Sequence, residues 1–97
     1  MRIVGTRALR RCWEKHNQAR KPLQAWHAIV EKAMWDGPQD IRNQFGSADF
    51  VANNRVIFNI GGNKFRLVAL VAYGTKAVYV KFADTHAEYD KIDPATV

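Results

Sequence analysis

The sequence predicts a small α/β (α+β) domain in which two N-terminal helices pack on a mostly antiparallel sheet of about four strands. Two amphipathic helical stretches fill the first third of the chain, and three short alternating segments joined by glycine turns fill most of the rest. A short helix is expected after the last strand. Because 97 residues provide material for one core, we expect a single domain over residues 1–97.

The first third is predicted to hold one strand and two helices. Residues 2–5 form a short strand, and a helix capped by Thr6 follows to about residue 17. A proline suits the first turn of a second helix over residues 22–36, which Gly37-Pro38 should end. Three tryptophans lie on helix core faces and are expected in the core: Trp13, Trp26 and Trp35.

The remaining two thirds are predicted to form a three-stranded meander. After one helical turn at residues 41–45 and a loop at residues 46–49, apolar and polar residues alternate through three segments, which are residues 55–60, 64–72 and 78–83. The hairpin turns are expected at Gly61-Gly62-Asn63 and Gly74-Thr75-Lys76. Thr85 should cap a short helix over residues 86–91.

A turn centred on Gly74-Thr75 fixes how the last two strands pair. The predicted pairs are Val71 with Val78, Ala69 with Val80, Leu67 with Phe82, Val68 with Lys81 and Arg66 with Ala83. This register turns the larger apolar set toward the helices. It also makes Arg66 and Lys81 diagonal neighbours, and two cations that close repel each other unless an anion lies between them.

Positive charge is concentrated in the helical third. The net charge is +6, and residues 1–35 carry eight Lys or Arg against two acids, whereas residues 36–97 carry seven against seven. A one-sided basic surface attracts polyanions, so a nucleic acid or the ribosome is the expected partner. A solvated helix face without a partner is the alternative. Within this surface, Arg10 and Arg11 are the candidate RNA-binding residues.

Several classes of protein are excluded by what the chain lacks. No apolar run approaches the roughly 18–20 residues of a membrane span, and the N-terminus lacks the apolar region of a secretory signal. The one cysteine, Cys12, cannot form an internal disulfide, and no Cys/His cluster indicates a metal site. We therefore expect a cytoplasmic protein that uses no metal and no small-molecule cofactor and does not enter a membrane.

Two residues are the leading candidates for chemistry on a phosphate. Arg66 lies in mid-strand, where a charge has no packing purpose, and a guanidinium matches a phosphate and stabilises charge that develops there. The alternative is an ion pair with Glu88 or Asp90. His86 is the candidate for proton transfer, because an imidazole gives or takes a proton near neutral pH. Its alternative is a capping or packing role.

Basic and aromatic residues on the same strands are candidates for RNA binding. Lys64, Lys81 and Arg55 add positive potential along the sheet, although exposed strands also carry lysine for solubility. Tyr79 and Tyr89 can stack on unpaired bases or hydrogen-bond a phosphate, and Tyr89 can equally pack against the sheet.

Two segments carry a resemblance to a known family: NIGGNKFRLVALVAY (Asn59–Tyr73) and VYVKFADTHAEYDKID (Val78–Asp93). They resemble the HigB-type toxins of bacterial type II toxin–antitoxin systems, which belong to the wider RelE/ParE group. The resemblance implies a RelE-like fold and an endoribonuclease that cleaves mRNA on the translating ribosome, without a metal, through attack of the ribose 2′-hydroxyl. It also implies a HigA-type antitoxin with a helix-turn-helix domain.

The resemblance further implies roles for individual residues. In the wider group a strand arginine contacts the scissile phosphate, and Arg66 is the matching position. Further basic strand residues and C-terminal His or Tyr residues assist, and the nearest matches are Lys81, His86 and Tyr89. The His/Glu pair of a free ribonuclease is not evident.

Two non-catalytic functions remain open at this point. ParE-type toxins share the fold but bind gyrase, and a basic sheet face with Tyr79 would suit an RNA-binding module. The grouping of Arg66, Lys81 and His86 favours a nuclease, because an inhibitor has no need for convergent phosphate-binding and proton-transfer groups.

Overall fold

A computed structural model describes residues 1–97 and contains five strands and four α-helices. In chain order they are β1 (Arg2–Val4), α1 (Thr6–Lys15), a 3₁₀ turn (Asn17–Ala19), α2 (Arg20–Lys32), α3 (Pro38–Gln44), β2 (Asp49–Val51), β3 (Arg55–Ile60), β4 (Phe65–Ala72), β5 (Ala77–Thr85) and α4 (His86–Tyr89). None of the helices combines the length and the apolar character needed to cross a lipid bilayer.

The five strands form one sheet in the order β1-β5-β4-β3-β2. β1 runs parallel to β5, and every other neighbouring pair is antiparallel. The predicted fold class is therefore confirmed. The strand count is five rather than about four, because Asp49, which was assigned to a loop, begins the edge strand β2. A strand of three residues is too short for alternation to reveal it.

Several helix boundaries differ from the prediction, among them the start of α3, which is Pro38 rather than residue 41, and the end of α4, which is Tyr89 rather than residue 91. Thr6 does not cap α1; it is the first helical residue, and Gly5 occupies the N-cap with a φ of +90° and no side-chain hydrogen bond. α2 ends at Lys32, well before Gly37, which instead caps α3. The early end has a tertiary cause, since the backbone nitrogen of Met1 donates hydrogen bonds to Val30 O (3.2 Å) and to the carbonyls of Glu31 and Ala33.

The main core lies between the sheet and helices α1 and α2. Trp26 and Trp35 are almost fully buried there, as predicted, whereas Trp13 is only partly buried and packs against the edge of the core. Phe58 of β3 contacts both buried indoles, at centroid distances of 5.5 Å from Trp26 and 6.4 Å from Trp35. Aromatic packing of this kind fixes the helices over the sheet.

The opposite face of the sheet carries a second buried area. Ile57 and Val68 are buried but stand outside the main core cluster. The chain after α4 reaches the far side of this face, where Asn53 donates to Ala95 O (2.9 Å) and Arg55 donates to Val97 O (2.8 Å). The C-terminal segment is thereby held against the edge of the sheet.

A β-bulge in β5 changes the pairing of the last two strands. The predicted pairs of Val71 with Val78 and Ala69 with Val80 are confirmed, but Lys81 is then an extra residue without a partner in β4. Beyond it Val68 pairs with Phe82, Leu67 with Ala83 and Arg66 with Asp84. The predicted pairs of Leu67 with Phe82, Val68 with Lys81 and Arg66 with Ala83 are therefore wrong. The prediction that Arg66 and Lys81 are diagonal neighbours depended on that register and is wrong as well.

Asp84, beyond the bulge, ties β5 to α1. Its carboxylate lies 3.1 Å from Lys15 Nζ and 3.4 Å from His16 Nε2, and it accepts a hydrogen bond from the Thr85 N–H at 2.8 Å. Burial acts to raise the pKa of Asp84, but the Thr85 hydrogen bond and Lys15 outweigh it, with a smaller contribution from His16, and the pKa is lowered.

Gly5 is required by its surroundings, and its replacement tests the β1–α1 connection. In Gly5→Ala the new Cβ would lie 2.8 Å from Val80 O, at a φ of +90° that side chains disfavour. We expect the free energy of unfolding in urea to fall by about 2 kcal/mol or more. Gly46→Ala is the control, because its Cβ would meet no atom within 4 Å. Equal stability of the two variants would contradict this account.

Replacement of Asp84 tests the link between β5 and α1 through its pH dependence. Because the pKa is lowered in the folded protein, ionised Asp84 stabilises the fold above its unfolded pKa, about 4, and this contribution disappears as the pH falls through the folded value. Asp84→Asn should therefore lower the free energy of unfolding by about 1 kcal/mol at pH 7, and the difference from wild type should shrink below about pH 4.

Asp49→Asn is the matched control, because Asp49 is exposed and forms no ion pair. A difference between wild type and Asp84→Asn that stayed constant from neutral to strongly acidic pH would show that charge is not the cause.

Candidate functional site

Arg66 is a cation without an ionic partner on the sheet face opposite α1 and α2. It is half-buried, its Nε is buried without a hydrogen-bond partner, and its guanidinium carbon lies 4.8 Å from the centre of the Tyr89 ring. The alternative partners are engaged elsewhere, since Glu88 pairs with Lys91 at 3.1 Å and Asp90 faces His86. A guanidinium held over an aromatic ring keeps donors available for an incoming anion.

Tyr89 is positioned by the short helix α4. Thr85 caps this helix as predicted, accepting a hydrogen bond from Glu88 N at 3.2 Å. The backbone N–H of His86 donates to Lys64 O at 3.3 Å, which ties the helix to the β3–β4 turn. One local hydrogen bond and one to the β3–β4 turn thus set the direction in which the side chains of α4 project over β4.

His86 stands beside Tyr89, with ring centroids 6.1 Å apart. Its Nδ1 lies 3.6 Å from Asp90 Oδ2, one helical turn along, and its side chain is 43% exposed. The hydrogen bond to Lys64 uses the backbone of His86 rather than its ring. The imidazole is therefore open to solvent on one side and has a carboxylate on the other, an arrangement that suits proton transfer.

Phe82 completes an aromatic cluster at the site, with its ring centroid 6.4 Å from that of Tyr89. The sequence placed Phe82 opposite Leu67 on the core face, but the bulge pairs it with Val68 and brings it to the face that carries Arg66. Regular alternation through Val80, Lys81 and Phe82 gives no sign of this change, so sequence reasoning missed it.

The structure does not bring Lys81 to this group. The bulge places Lys81 along a cavity that faces α1, together with Arg11 and Lys15 and without Arg66. Its ammonium also lies 6.0 Å from the centre of the Tyr79 ring. The site therefore combines Arg66, His86 and Tyr89, with Lys81 at its margin.

The other candidate RNA-binding residues are dispersed. Lys64 is exposed at the β3–β4 turn, with Nζ 3.4 Å from Gln18 Oε1. Arg55 is occupied by the backbone carbonyls of Asn53 (3.3 Å) and Val97 (2.8 Å), which gives it a structural role. Arg10 and Arg11 are exposed on α1 and form no ion pair.

Three residues near the site had no role in the sequence prediction: Lys15, His16 and Asp84. His16 contacts Phe65 at a centroid distance of 5.6 Å and Asp84 through its Nε2. Asp84 pairs with Arg66 across the strands but commits its carboxylate to Lys15 and His16, so it leaves Arg66 without a counter-ion. No spacing in the sequence links α1 to β5, and only the folded chain reveals these contacts.

Comparisons with known proteins identify the family of the chain. A family model described as "HigB_toxin, RelE-like toxic component of a toxin-antitoxin system" matches residues 19–92. The "mRNA interferase toxin HigB" of Escherichia coli (strain K12) is 30% identical over 92 residues, which cover 93% of this chain and 88% of that protein. The "mRNA interferase HigB" of Escherichia coli O6:H1 is 27% identical over 94 residues, covering 95% of this chain and 91% of that protein.

A further "mRNA interferase HigB", from Shigella flexneri, is 30% identical over 92 residues with the same coverage as the K12 protein. The family match spans the segment from α2 to the end of α4, and so includes Arg66, His86 and Tyr89. The resemblance found in the sequence is confirmed. The chain belongs to the HigB family of RelE-like toxins, the toxic components of toxin–antitoxin systems, and so has an antitoxin as its partner.

Proposed function

We propose that this toxin is an endoribonuclease that cleaves mRNA on the translating ribosome and so stops translation in the cytoplasm. A HigA-type antitoxin with a helix-turn-helix domain would hold it inactive. The proposal is supported by the family match, by relatives that are named mRNA interferases and by the chemistry of the site. A non-catalytic gyrase inhibitor would have no use for an imidazole and a phenol beside an unpaired guanidinium.

The observation that carries the proposal is the unpaired, half-buried Arg66 beside Tyr89 and His86. A phosphodiester in the act of cleavage gains negative charge on its non-bridging oxygens. A guanidinium can donate two parallel hydrogen bonds to those oxygens, and such a donor stabilises the transition state more than the substrate. Arg66 is therefore assigned to the scissile phosphate.

RNA cleavage then proceeds by transfer within the substrate. The ribose 2′-oxygen loses its proton to a base and forms a bond to phosphorus, while the bond from phosphorus to the 5′-oxygen of the next nucleotide breaks. The departing 5′-oxygen takes up a proton. The products are a 2′,3′-cyclic phosphate and a 5′-hydroxyl end, and no electrons are gained or lost.

His86 or Tyr89 moves the proton in this scheme. The Nδ1 of His86 faces Asp90, which leaves Nε2 free to give or take a proton. The phenol of Tyr89 is the second candidate, because its ring already lies under Arg66. In each of these steps the group has to accept or give only one proton.

In this proposal the ribosome aligns the reacting atoms of the mRNA, which the toxin alone does not do. Cleavage requires the 2′-oxygen, the phosphorus and the leaving oxygen to lie in line, and holding reactants in such a geometry contributes several kcal/mol. The basic helices, with Arg10 exposed on α1, would favour docking on ribosomal RNA. This division of labour accounts for a site with one cation and no pair of matched acid and base.

The first prediction for this site concerns Arg66. Arg66→Ala should lower the rate of mRNA cleavage on translating ribosomes by at least about 100-fold, because the charge that develops on the phosphate is no longer stabilised. Arg42→Ala is the matched control, since Arg42 also lies over an aromatic ring, 4.7 Å from the centre of Phe50. Phe50 belongs to the edge strand β2, which is three places from β5 in the sheet and so lies far from the site. The rate of this control should stay close to wild type. Wild-type cleavage by Arg66→Ala would overturn the assignment.

The second prediction separates the two proton-transfer candidates. If His86 moves the proton, His86→Gln should lower the single-turnover rate by about 100-fold and flatten its pH dependence near neutrality, whereas Tyr89→Phe, which keeps the ring under Arg66, should have a small effect. The reverse pattern assigns the step to Tyr89. His27→Gln is the control, because His27 has the same spacing to a carboxylate, with Nδ1 3.9 Å from Glu31. Near-wild-type rates in both site variants would exclude both groups.

A further inference from the structure

A cavity of about 280 Å³ lies between α1 and the bulged part of β5. We call it the α1–β5 groove. Its charged walls are Arg11 and Lys15 from the helix and Lys81 and Asp84 from the strand, and Phe82 forms part of its apolar wall. The residues assigned to the scissile phosphate and to proton transfer do not line it.

Positive charge in the α1–β5 groove exceeds what its own carboxylate can neutralise. Three cations face one anion, and Asp84 is already shared between Lys15 at 3.1 Å and His16 at 3.4 Å. Arg11 and Lys81 form no ion pair at all. Like charges gathered around a small cavity repel one another, and an anion in that cavity would relieve the repulsion.

The thiol of Cys12, at the wall of the groove, adds no negative charge. Burial is the main reason why the pKa of Cys12 is raised to about 11, with Asp84 contributing in the same direction. The thiol is therefore neutral at physiological pH. The only fixed negative charge in the groove is that of Asp84.

Lys81 lies in the groove because of the bulge in β5. Bulges leave one residue outside the ladder and redirect its side chain, and they are common beside active sites. In β5 the redirected residue is a lysine, and it meets Arg11 and Lys15 across the cavity. A regular strand would pair Lys81 with Val68 and would keep Phe82 on the core face.

The groove is continuous with the site through Phe82. Phe82 is one of the residues that line the groove, and its ring packs against Tyr89 at 6.4 Å, while Tyr89 lies under Arg66. Cations at both ends of an aromatic bridge match a single RNA strand, in which phosphates alternate with bases that stack on aromatic rings.

Resting on the function proposed above, we propose that the α1–β5 groove binds a phosphate of the mRNA strand that adjoins the scissile one. Arg11 and Lys81 hold this neighbouring phosphate, and Phe82 lies beside the intervening nucleotide. Lys81 is then a positioning residue, not a catalytic one. Its loss should weaken the productive complex and leave the chemical step intact.

The first arm of the test measures cleavage of ribosome-bound mRNA against toxin concentration. Arg11→Gln and Lys81→Gln should each raise the half-saturating concentration by about tenfold, while the maximal rate stays within about twofold of wild type. Arg42→Gln is the matched control, since Arg42 is exposed on α3, forms no ion pair and lies outside both the groove and the basic helices. Thermal unfolding of every variant shows that all are folded.

The second arm locates the contact on the RNA. A single neutral methylphosphonate replaces each of the phosphates that flank the cleavage site, one at a time. At the phosphate held in the groove, this change should raise the half-saturating concentration of the wild-type toxin by about tenfold. It should have little further effect on the Arg11→Gln/Lys81→Gln double variant. Coupling of this kind identifies which phosphate the groove binds, because it reports one pair of groups and not the total charge of the protein or the RNA.

Each outcome decides a different point. Equal losses in the groove variants and in the Arg42→Gln control, or no coupling to any flanking phosphate, would overturn the groove proposal while cleavage itself stands. A fall in maximal rate in Lys81→Gln would make Lys81 catalytic and would also overturn it. A wild-type protein that cleaves no ribosome-bound mRNA would overturn the proposed function, and the groove proposal with it.

Discussion

The bulge at Lys81 is the constraint on which both the site and the neighbouring groove depend. Before it, β5 pairs with β4 in the register that its turn dictates; after it, every side chain of β5 faces the other way. Phe82 thereby reaches the face of Arg66 and Tyr89. Beyond the bulge, Asp84 contacts Lys15 on α1, so the same stretch of β5 carries both an aromatic ring of the site and a link to the helical layer.

A cation without a counter-ion is costly in a folded protein, and the structure shows how the cost at Arg66 is limited. The guanidinium is only half-buried, so water still solvates part of it, and the Tyr89 ring offers a favourable face at 4.8 Å. The nearby carboxylates are each engaged by another cation, Glu88 by Lys91 and Asp84 by Lys15. Pairing Arg66 with either would stabilise the free toxin and occupy the donors that a phosphate needs.

Features set by local sequence were predictable, and features set by tertiary contacts were not. The Thr85 cap, the glycine turns and the pairing of Val71 with Val78 follow from a few adjacent residues. The end of α2 is held by hydrogen bonds from Met1, and the bulge is a change of register between two strands, so neither leaves a pattern in the local sequence. At the site, strand parity and family resemblance pointed to Arg66, His86 and Tyr89. Their mutual contacts, and the separation of Lys81 from them, required the fold.

The exposure of the site supplies a physical reason why the cleavage proposed above would depend on the ribosome. The His86 side chain is 43% exposed, and Arg66 is only half-buried, so water screens their charges in the free toxin. Two unit charges about 4 Å apart interact by about 1 kcal/mol in water but by about 4 kcal/mol at the effective dielectric of a protein surface. A difference of about 3 kcal/mol corresponds to roughly 100-fold in rate. Under the proposed function, covering the site with mRNA and the ribosome would exclude water and so strengthen the interaction of the Arg66 guanidinium with a phosphate.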